Sequence, residues 1–439
     1  GIEVEDGFMS EVQARSFKDD PFKAIGDSTY TMCFEECLGK GTKVLMANGG
    51  FKNVEEIVVG DLVMGVDSKP KEVISTTSGI DNMFKVKQQK GIDYIVNSKH
   101  KLYLEQHTNI TSPRFKNTDG PKLLNVEELE KLVTYKRKGT YGIKSSGIEF
   151  EDKSTLPIEP YLIGLWLGDG ESSRFSIVVN TDTDNEILEY LKLVDGENYS
   201  LYKIKNIKAN CTIFTFTRKH YDGKRNVGNI TLRALGVLNN KHIPKDYLIT
   251  TRKNRLELLA GLIDTDGYLQ KATSSKNYSY EIIVKKDIFA EQVVFLARSL
   301  GFYTRISKKR GVKNGKTFIA NRIVIRGKIS EIPVKVKHKQ VPLDWSSTSN
   351  PLNTQIVIEP IGKGEYFGFT LKGNREEDHL FLLEDFTITH NCGRFKGLLD
   401  AYTIAEPTFR DGDIMTGVPM LWGCLPKGQK VWKGDGDLI

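Results

Sequence analysis

Two short stretches of the chain are apolar on every side. They are Tyr161-Leu-Ile-Gly-Leu-Trp-Leu-Gly-Asp-Gly170 and Leu258-Leu-Ala-Gly-Leu-Ile-Asp-Thr-Asp-Gly-Tyr268. Each predicts a helix that stops at Asp-Gly. Small residues recur every fourth position, at Gly164 and Gly168 and again at Gly261 and Thr265. That spacing leaves a shallow groove, so the two helices can approach closely and bring Asp169 and Asp266 together at their ends. Elsewhere the alternation has a period of two. Residues 211–219, residues 322–326 and the run that follows His100 all predict strands, and so does Gly41-Thr-Lys-Val-Leu45 after Cys37. Residues 106–155 match no motif, although they hold basic clusters at Arg114 and Lys116 and at Lys136-Arg137-Lys138.

Two adjacent carboxylates repel unless cations lie between them, and such a pair suits divalent metal ions acting on a phosphodiester. One buried helix with a glycine stop needs no function to explain it. Two copies about 97 residues apart, each ending in Asp-Gly, make a purely structural role a poor explanation.

At 439 residues the chain predicts two to three domains. No apolar run reaches membrane-spanning length, and no signal peptide is expected at the start. Cysteines occur at 33, 37, 211, 392 and 424 only. That is too few for a disulfide framework and lacks metal-ligand spacing, so a reducing, cytoplasmic setting is expected. Residues 37–391 hold 54 Lys and Arg against 41 Asp and Glu, whereas residues 1–36 hold 3 against 9. A basic middle segment points to a polyanion such as DNA.

The borders of that segment carry a second chemistry. Cys37 can attack the Glu36 carbonyl and turn the amide into a thioester. The leaving nitrogen needs a proton, for which an imidazole such as His100 is best matched. Cys392 can then capture the acyl group, and Asn391 can cyclise through its own carboxamide to release the segment, helped by His390 and by His379. A cysteine at one seam and His390-Asn391-Cys392 at the other is the residue set for cutting two peptide bonds and joining the outer pieces.

On these residues the segment resembles an intein, in the form found in yeast vacuolar ATPases. The run from Cys37, with Val54 to Gly65, matches the family's first splicing block. Asn97-x-x-His100 matches the second, in an Asn form where Thr is commoner. Asp378 to Leu383 and Thr389 to Cys392 match the last two. The resemblance implies a mostly β chain with an α/β part: a horseshoe-shaped all-β splicing (Hint) domain, split by an endonuclease. The Asp-Gly helices resemble the motifs of LAGLIDADG homing endonucleases, the second departing only at Thr265. That family implies a pseudo-twofold αββαββα domain whose sheets form a saddle on double-stranded DNA, with Asp169 and Asp266 as metal ligands. It also implies a lysine near the scissile phosphate, matched by Lys241 and in the second half by Lys339, with Lys337 a rival.

The expected organisation is an upstream host flank at 1–36 and the first splicing part at 37–155. The endonuclease follows at 156–343, the second splicing part at 344–391 and a downstream flank at 392–423. Residues 106–155 fit a DNA-reading arm or a plain insertion equally. The expected function is autocatalytic splicing that ligates Glu36 to Cys392, plus site-specific double-strand cleavage of a long asymmetric site in the host gene. Splicing needs no cofactor and cleavage needs Mg²⁺. The partners are DNA and the flanking exteins, with no membrane and a monomeric chain. Two alternatives are a splicing element with a decayed nuclease and a Hint-type autoprocessing domain without ligation.

The joined flanks, Tyr30 to Glu36 followed by Cys392 to Gly397, resemble the Walker B region of a phage terminase large subunit. They lack a phosphate-binding loop. Cys33 is set aside as a start because the strand pattern is in register with Cys37. Residues 424–439 repeat the Cys37 run at six of nine positions and suggest the start of a second intein.

Overall fold

The structure, a computed structural model, describes residues 36–106, 120–131, 139–150, 155–194, 200–208, 210–217, 227–271, 277–313, 316–342, 345, 350–373, 375–391, 432–433 and 437–438. Cys33, Cys392, Cys424, nearly all of both flanks and the basic clusters at 114–116 and 136–138 lie outside them.

Two 19-residue strands, Pro70–Gln88 and Asn353–Leu371, run antiparallel along almost their whole length, from Ile356 opposite Gln88 to Leu371 opposite Val73. Register shifts at Pro360/Gly362 and Thr370/Leu371 break the ladder. Shifts of this kind bend and twist a ribbon, which lets so long a pair curve around a core instead of lying flat. The remaining strands of the ten-stranded sheet gather on this pair. Leu38–Gly39 slots between Tyr94–Asn97 and Asn353–Leu371, with Leu38 opposite both Val96 and Phe367. Ile388–His390 pairs with Leu380–Leu382 and with Lys101–Gln106, placing Thr389 opposite Leu102. The run after His100 is thus a strand, as its alternation predicts. The described part of 106–155 is built into the same sheet: Lys122–Asn125 and Thr140–Ile143 both pair with Lys101–Gln106.

The middle of the chain has its own core, running from Ile158 to Val336. Its centre is the contact between helices Pro160–Asp169 and Arg252–Asp266. The groove expected from the glycine spacing is present. A Cβ on Gly261 would lie 2.4 Å from the Tyr161 carbonyl oxygen, and one on Gly164 2.5 Å from that of Leu258. After the second helix come four antiparallel strands in the order Gly267–Lys271, Tyr278–Val284, Lys316–Arg326, Tyr303–Lys313, backed by helix Asp287–Ser299. The first half repeats this plan with three strands, in the order Ser176–Asn180, Cys211–Thr217, Ser200–Lys208. Its missing strand shrinks to a single bridge between Gly170 and Ile177. The cause is local: Glu171 turns back to grip Arg174 and the Ser176 hydroxyl, closing a tight turn where the other half extends.

The two bodies are bolted together. Arg255, fully buried, donates to the carbonyls of Thr250 (2.9 Å), Ser299 (3.0 Å) and Ile148 (2.5 Å), so the second Asp-Gly helix holds the incoming chain of the β body. Phe295 packs among Phe51, Phe150 and Phe386, at 5.7–6.5 Å between ring centroids. Among the described residues no helix is long and apolar enough to cross a membrane.

Filling the helix contact should hurt. Gly261→Ala, in a chain arrested by Cys37→Ala and Asn391→Ala, is expected to lose about 1–3 kcal/mol, because the Cβ meets backbone that cannot swing away. A urea midpoint equal to that of the parent would contradict this.

Candidate active sites

The first site forms where the two ends of the insertion meet. Cys37 is fully buried, and its amide nitrogen, which belongs to the Glu36–Cys37 peptide bond, donates to Asn97 Oδ1 at 3.1 Å. The Asn97 amide donates in turn to the Cys37 carbonyl at 3.1 Å. Gly368 leaves room for the thiol, since a Cβ there would sit 2.6 Å from Sγ. His100 closes the turn after Asn97 and is fully buried, with Nε2 2.7 Å from the Thr389 hydroxyl. Burial pushes the imidazole down to about 4, and the Glu36 carboxylate and main chain draw it back by less. His100 is therefore neutral at pH 7 and able to accept a proton as well as to pass one on.

The other seam lies alongside. His390 and Asn391 are both buried, and the Asn391 amide donates to the His379 carbonyl at 3.0 Å. The His379 and His390 rings meet edge to face with centroids 5.9 Å apart, and burial lowers the His379 pKa. His390 Nδ1 contacts the Glu36 carboxylate, whose other oxygen is 3.1 Å from Lys101 Nζ. Thus Cys37, Asn97, His100, His379, His390 and Asn391 share one pocket, while Cys392 lies outside the described residues.

Sequence reasoning missed a buried ion pair at the turn that leads into the strand carrying His390. Asp385 is buried on the turn before strand Ile388–His390. It accepts from Lys144 Nζ (2.5 Å), the Thr387 hydroxyl (2.6 Å) and the Ile92 amide (2.8 Å). Burial alone would raise its pKa, but Lys144, Arg298 and these donors hold it down to about 2. Burial also lowers the Lys144 pKa. We take the pair as ionised, because the carboxylate has several donors aimed at it. The signal available in the sequence was the acidic step Glu384-Asp385, which interrupts the mostly apolar run before His390.

The second site lies at the ends of the two Asp-Gly helices. Asp169 and Asp266 both keep exposed surface, but the protein packed around them still desolvates the carboxylates, and this, reinforced by the charge on Asp266, pushes Asp169 up to about 6. Desolvation raises Asp266 too, against the pull of Lys241 and Lys339. The two lysines are arranged alike. Lys241 Nζ donates to the carbonyls of Leu167 (3.1 Å) and Gly168 (3.0 Å), and Lys339 Nζ to those of Ile263 (3.1 Å), Asp264 (2.8 Å) and Thr265 (3.0 Å). Each ammonium caps the negative end of one helix beside its carboxylate. Burial brings Lys241 down to about 8 and lowers Lys339 as well. Lys337, the rival, points away toward Glu186 with its side chain 83% exposed. Asp264 is a further group that sequence reasoning missed: buried, it ties the second helix to the 335–336 chain and to the Tyr161 hydroxyl.

Two crowded carboxylates with hard oxygen donors, both less acidic than usual through desolvation, fit a divalent cation. Among the described residues no cluster of three or more His, Cys, Asp and Glu is built for a metal. The rest of a cation's shell would therefore come from main-chain oxygens, water or substrate. Beyond the helix ends the four-stranded sheet turns out exposed Arg305, Lys308, Lys309 and Arg310 along one strand.

The family described as Hom_end-associated Hint matches residues 37–155, and the family described as Homing endonuclease matches residues 242–336. The chain carries the Hint and homing endonuclease domains of an intein. The intein is 23% identical over 481 residues to the catalytic subunit of a V-type proton ATPase from Candida tropicalis, across 81% of this chain and 44% of that one. It is 27% identical over 276 residues to a replicative DNA helicase DnaB of Mycobacterium intracellulare, across 60% and 42%. The chain thus spans under half the length of either relative. Among solved structures, the gp41-1 intein matches with 19% identity and a TM-score of 0.18 over 25% of this chain and 68% of that one. The homing endonuclease domain implies a DNA substrate and dependence on metal, and the intein implies flanking exteins.

The His100 environment sets a pH signature. Its folded value of about 4 lies below the ordinary 6.5, so between those values the unfolded chain binds a proton that the folded one refuses. Stability is full above pH 6.5 and falls toward pH 4, by about 3 kcal/mol at the limit. Urea midpoints at pH 7 and pH 5 should differ less in His100→Leu than in the arrested parent. Lys144→Met, which strands Asp385 buried and unpaired, is expected to lose about 3–5 kcal/mol at pH 7. An unchanged urea midpoint would contradict the ionised pair.

Proposed function

We propose that this intein excises residues 37–391, ligates Glu36 to Cys392, and cuts double-stranded DNA at a specific site in its host gene. One observation carries the splicing reading: the Glu36–Cys37 bond and His390-Asn391 lie in a single buried pocket although more than 350 residues separate them. In the proposed sequence Cys37 Sγ attacks the Glu36 carbonyl, while Asn97 holds the nitrogen that departs and His100 supplies its proton. Cys392 takes the acyl group. Asn391 Nδ2 then closes on its own carbonyl carbon and expels the Cys392 amine, with His390 and His379 managing the proton. No cofactor enters.

For the nuclease, the paired ends of the Asp-Gly helices support the LAGLIDADG reading, with Asp169 and Asp266 holding Mg²⁺. When bound, the ion would supply Lewis-acid stabilisation of charge on the phosphate oxygens. The chain's own work is to keep two carboxylates ionised and adjacent, and Lys241 and Lys339 offset their repulsion. Both halves lie in one chain, which favours a monomer. The thiols need a reducing, cytoplasmic setting. The terminase-like host, the domain borders and a second intein from Cys424 rest on sequence alone.

Mass spectrometry of freshly expressed chain should give a free insert of about 355 residues and ligated flanks, by the bond chemistry above. Asn391→Ala should abolish release of the insert. Full excision in that variant would leave a Hint-type processing domain without ligation. Asp169→Asn should lower cleavage of the uninterrupted host gene by at least about 100-fold and leave splicing intact. Equal absence of cutting in the parent would mean a decayed nuclease.

A further inference from the structure

One acidic group in the splicing pocket comes from the host. We propose that Glu36, the last residue before the upstream seam, is a positioning residue for the downstream seam, fixing His390 for Asn391 cyclisation. The proposal rests on the splicing reading above.

The carboxylate is 7% exposed and bridges two partners, His390 Nδ1 through Oε2 and Lys101 Nζ through Oε1 at 3.1 Å. A buried carboxylate is costly to ionise unless it is paired. Here burial pushes Glu36 up, but the hydrogen bond to His390 and the neighbouring Lys101 ammonium help hold it below the ordinary carboxylate range. Ionised, it can only accept, so His390 Nδ1 carries a hydrogen. In the tautomer that this hydrogen fixes, the lone pair lies on Nε2. That nitrogen is buried and has no hydrogen-bond partner among the described residues. A carboxylate that sets the tautomer and angle of an imidazole, leaving the far nitrogen free, is how an acid supports a general base. The edge-to-face His379 ring and the Lys101 ammonium complete the charged and titratable surroundings.

The chemistry to be served balances without a co-reactant. The bond from Asn391 Nδ2 to the Asn391 carbonyl carbon forms, and the bond from that carbon to the Cys392 nitrogen breaks. Nδ2 gives up one proton and the departing amine gains one, and His390 Nε2 is placed to take and return it. Glu36 also stays close while it is needed. When its acyl group passes from Cys37 to Cys392, the reacting carbonyl is bonded two residues beyond His390, with the Glu36 side chain still attached. Only after release does the carboxylate leave with the host. The efficiency of the second cut therefore depends on a residue that the insertion does not encode.

The test uses the full chain with both flanks. In a Cys37→Ala background, where only cyclisation proceeds, Glu36→Gln is expected to slow release at Asn391 on the order of 10- to 100-fold, the value of a hydrogen bond to a charged group. In an Asn391→Ala background, thiol-induced cleavage before Cys37 should fall by a clearly smaller factor, because its proton donor is His100, which the carboxylate side chain reaches only through its charge. In the doubly arrested chain, ¹⁵N spectra of the imidazoles should show the His390 nitrogens moving on Glu36→Gln and those of His379 staying. Unchanged cyclisation, or an equal fall of both cleavages, overturns the proposal. A parent chain that undergoes neither cleavage would instead overturn the splicing reading itself.

Discussion

The splicing pocket depends on one tight connection, the turn of residues 98–100. The strand before it, Tyr94–Asn97, hydrogen-bonds to Leu38, and the strand after it, Lys101–Gln106, pairs with Thr389. A three-residue turn therefore holds the two ends of the insertion as neighbours on one sheet. His100 sits in that turn, with its ring bonded to the Thr389 hydroxyl across the gap. Transfer of an acyl group between two chain ends needs them within bonding distance, and strand pairing supplies the proximity as fixed geometry instead of a rare encounter.

The nuclease solves a related problem with helices. Its two carboxylates repel, and desolvation by the protein around them worsens the repulsion. Proximity is enforced by glycine-mediated backbone contact at Gly164 and Gly261, where no side chain stands between the helices. The cost is offset by two ammonium groups that each bind the carbonyls at a helix end. The result is a pair of carboxylates with raised pKa values, a state that a divalent cation relieves. The two halves are not equal. The turn at Glu171 replaces one strand.

The two activities share a frame. Arg255, the Phe295 cluster and the Lys144–Asp385 pair, with Arg298 beside it, lie at the joint between the bodies. Asp385 also shapes the turn into the strand that carries His390. Part of the charge that holds this turn is thus contributed from the nuclease side, through Arg298.

Much of the site could be read from the chain because its chemistry is specific to residue type. Thioester formation needs a thiol such as Cys37, cyclisation needs a carboxamide such as Asn391, and a metal pair needs carboxylates such as Asp169 and Asp266. Their order along the chain raised the expectation of an insertion between two flanks. The helices were legible for a similar reason, since a four-residue spacing of small side chains has one main packing consequence. The supporting groups were not legible. Glu36, Thr389, Lys144 and Asp385 are ordinary polar residues until strand register brings them within hydrogen-bonding distance of partners that lie up to 354 positions away. Lys337 and Lys339 likewise differ only in space, since a short helical turn buries Lys339 and exposes Lys337. The sequence by itself determined which bonds this protein can make and break. Tertiary structure decided which groups are desolvated together, because pairing and burial are properties of neighbours in space and not of neighbours in the chain.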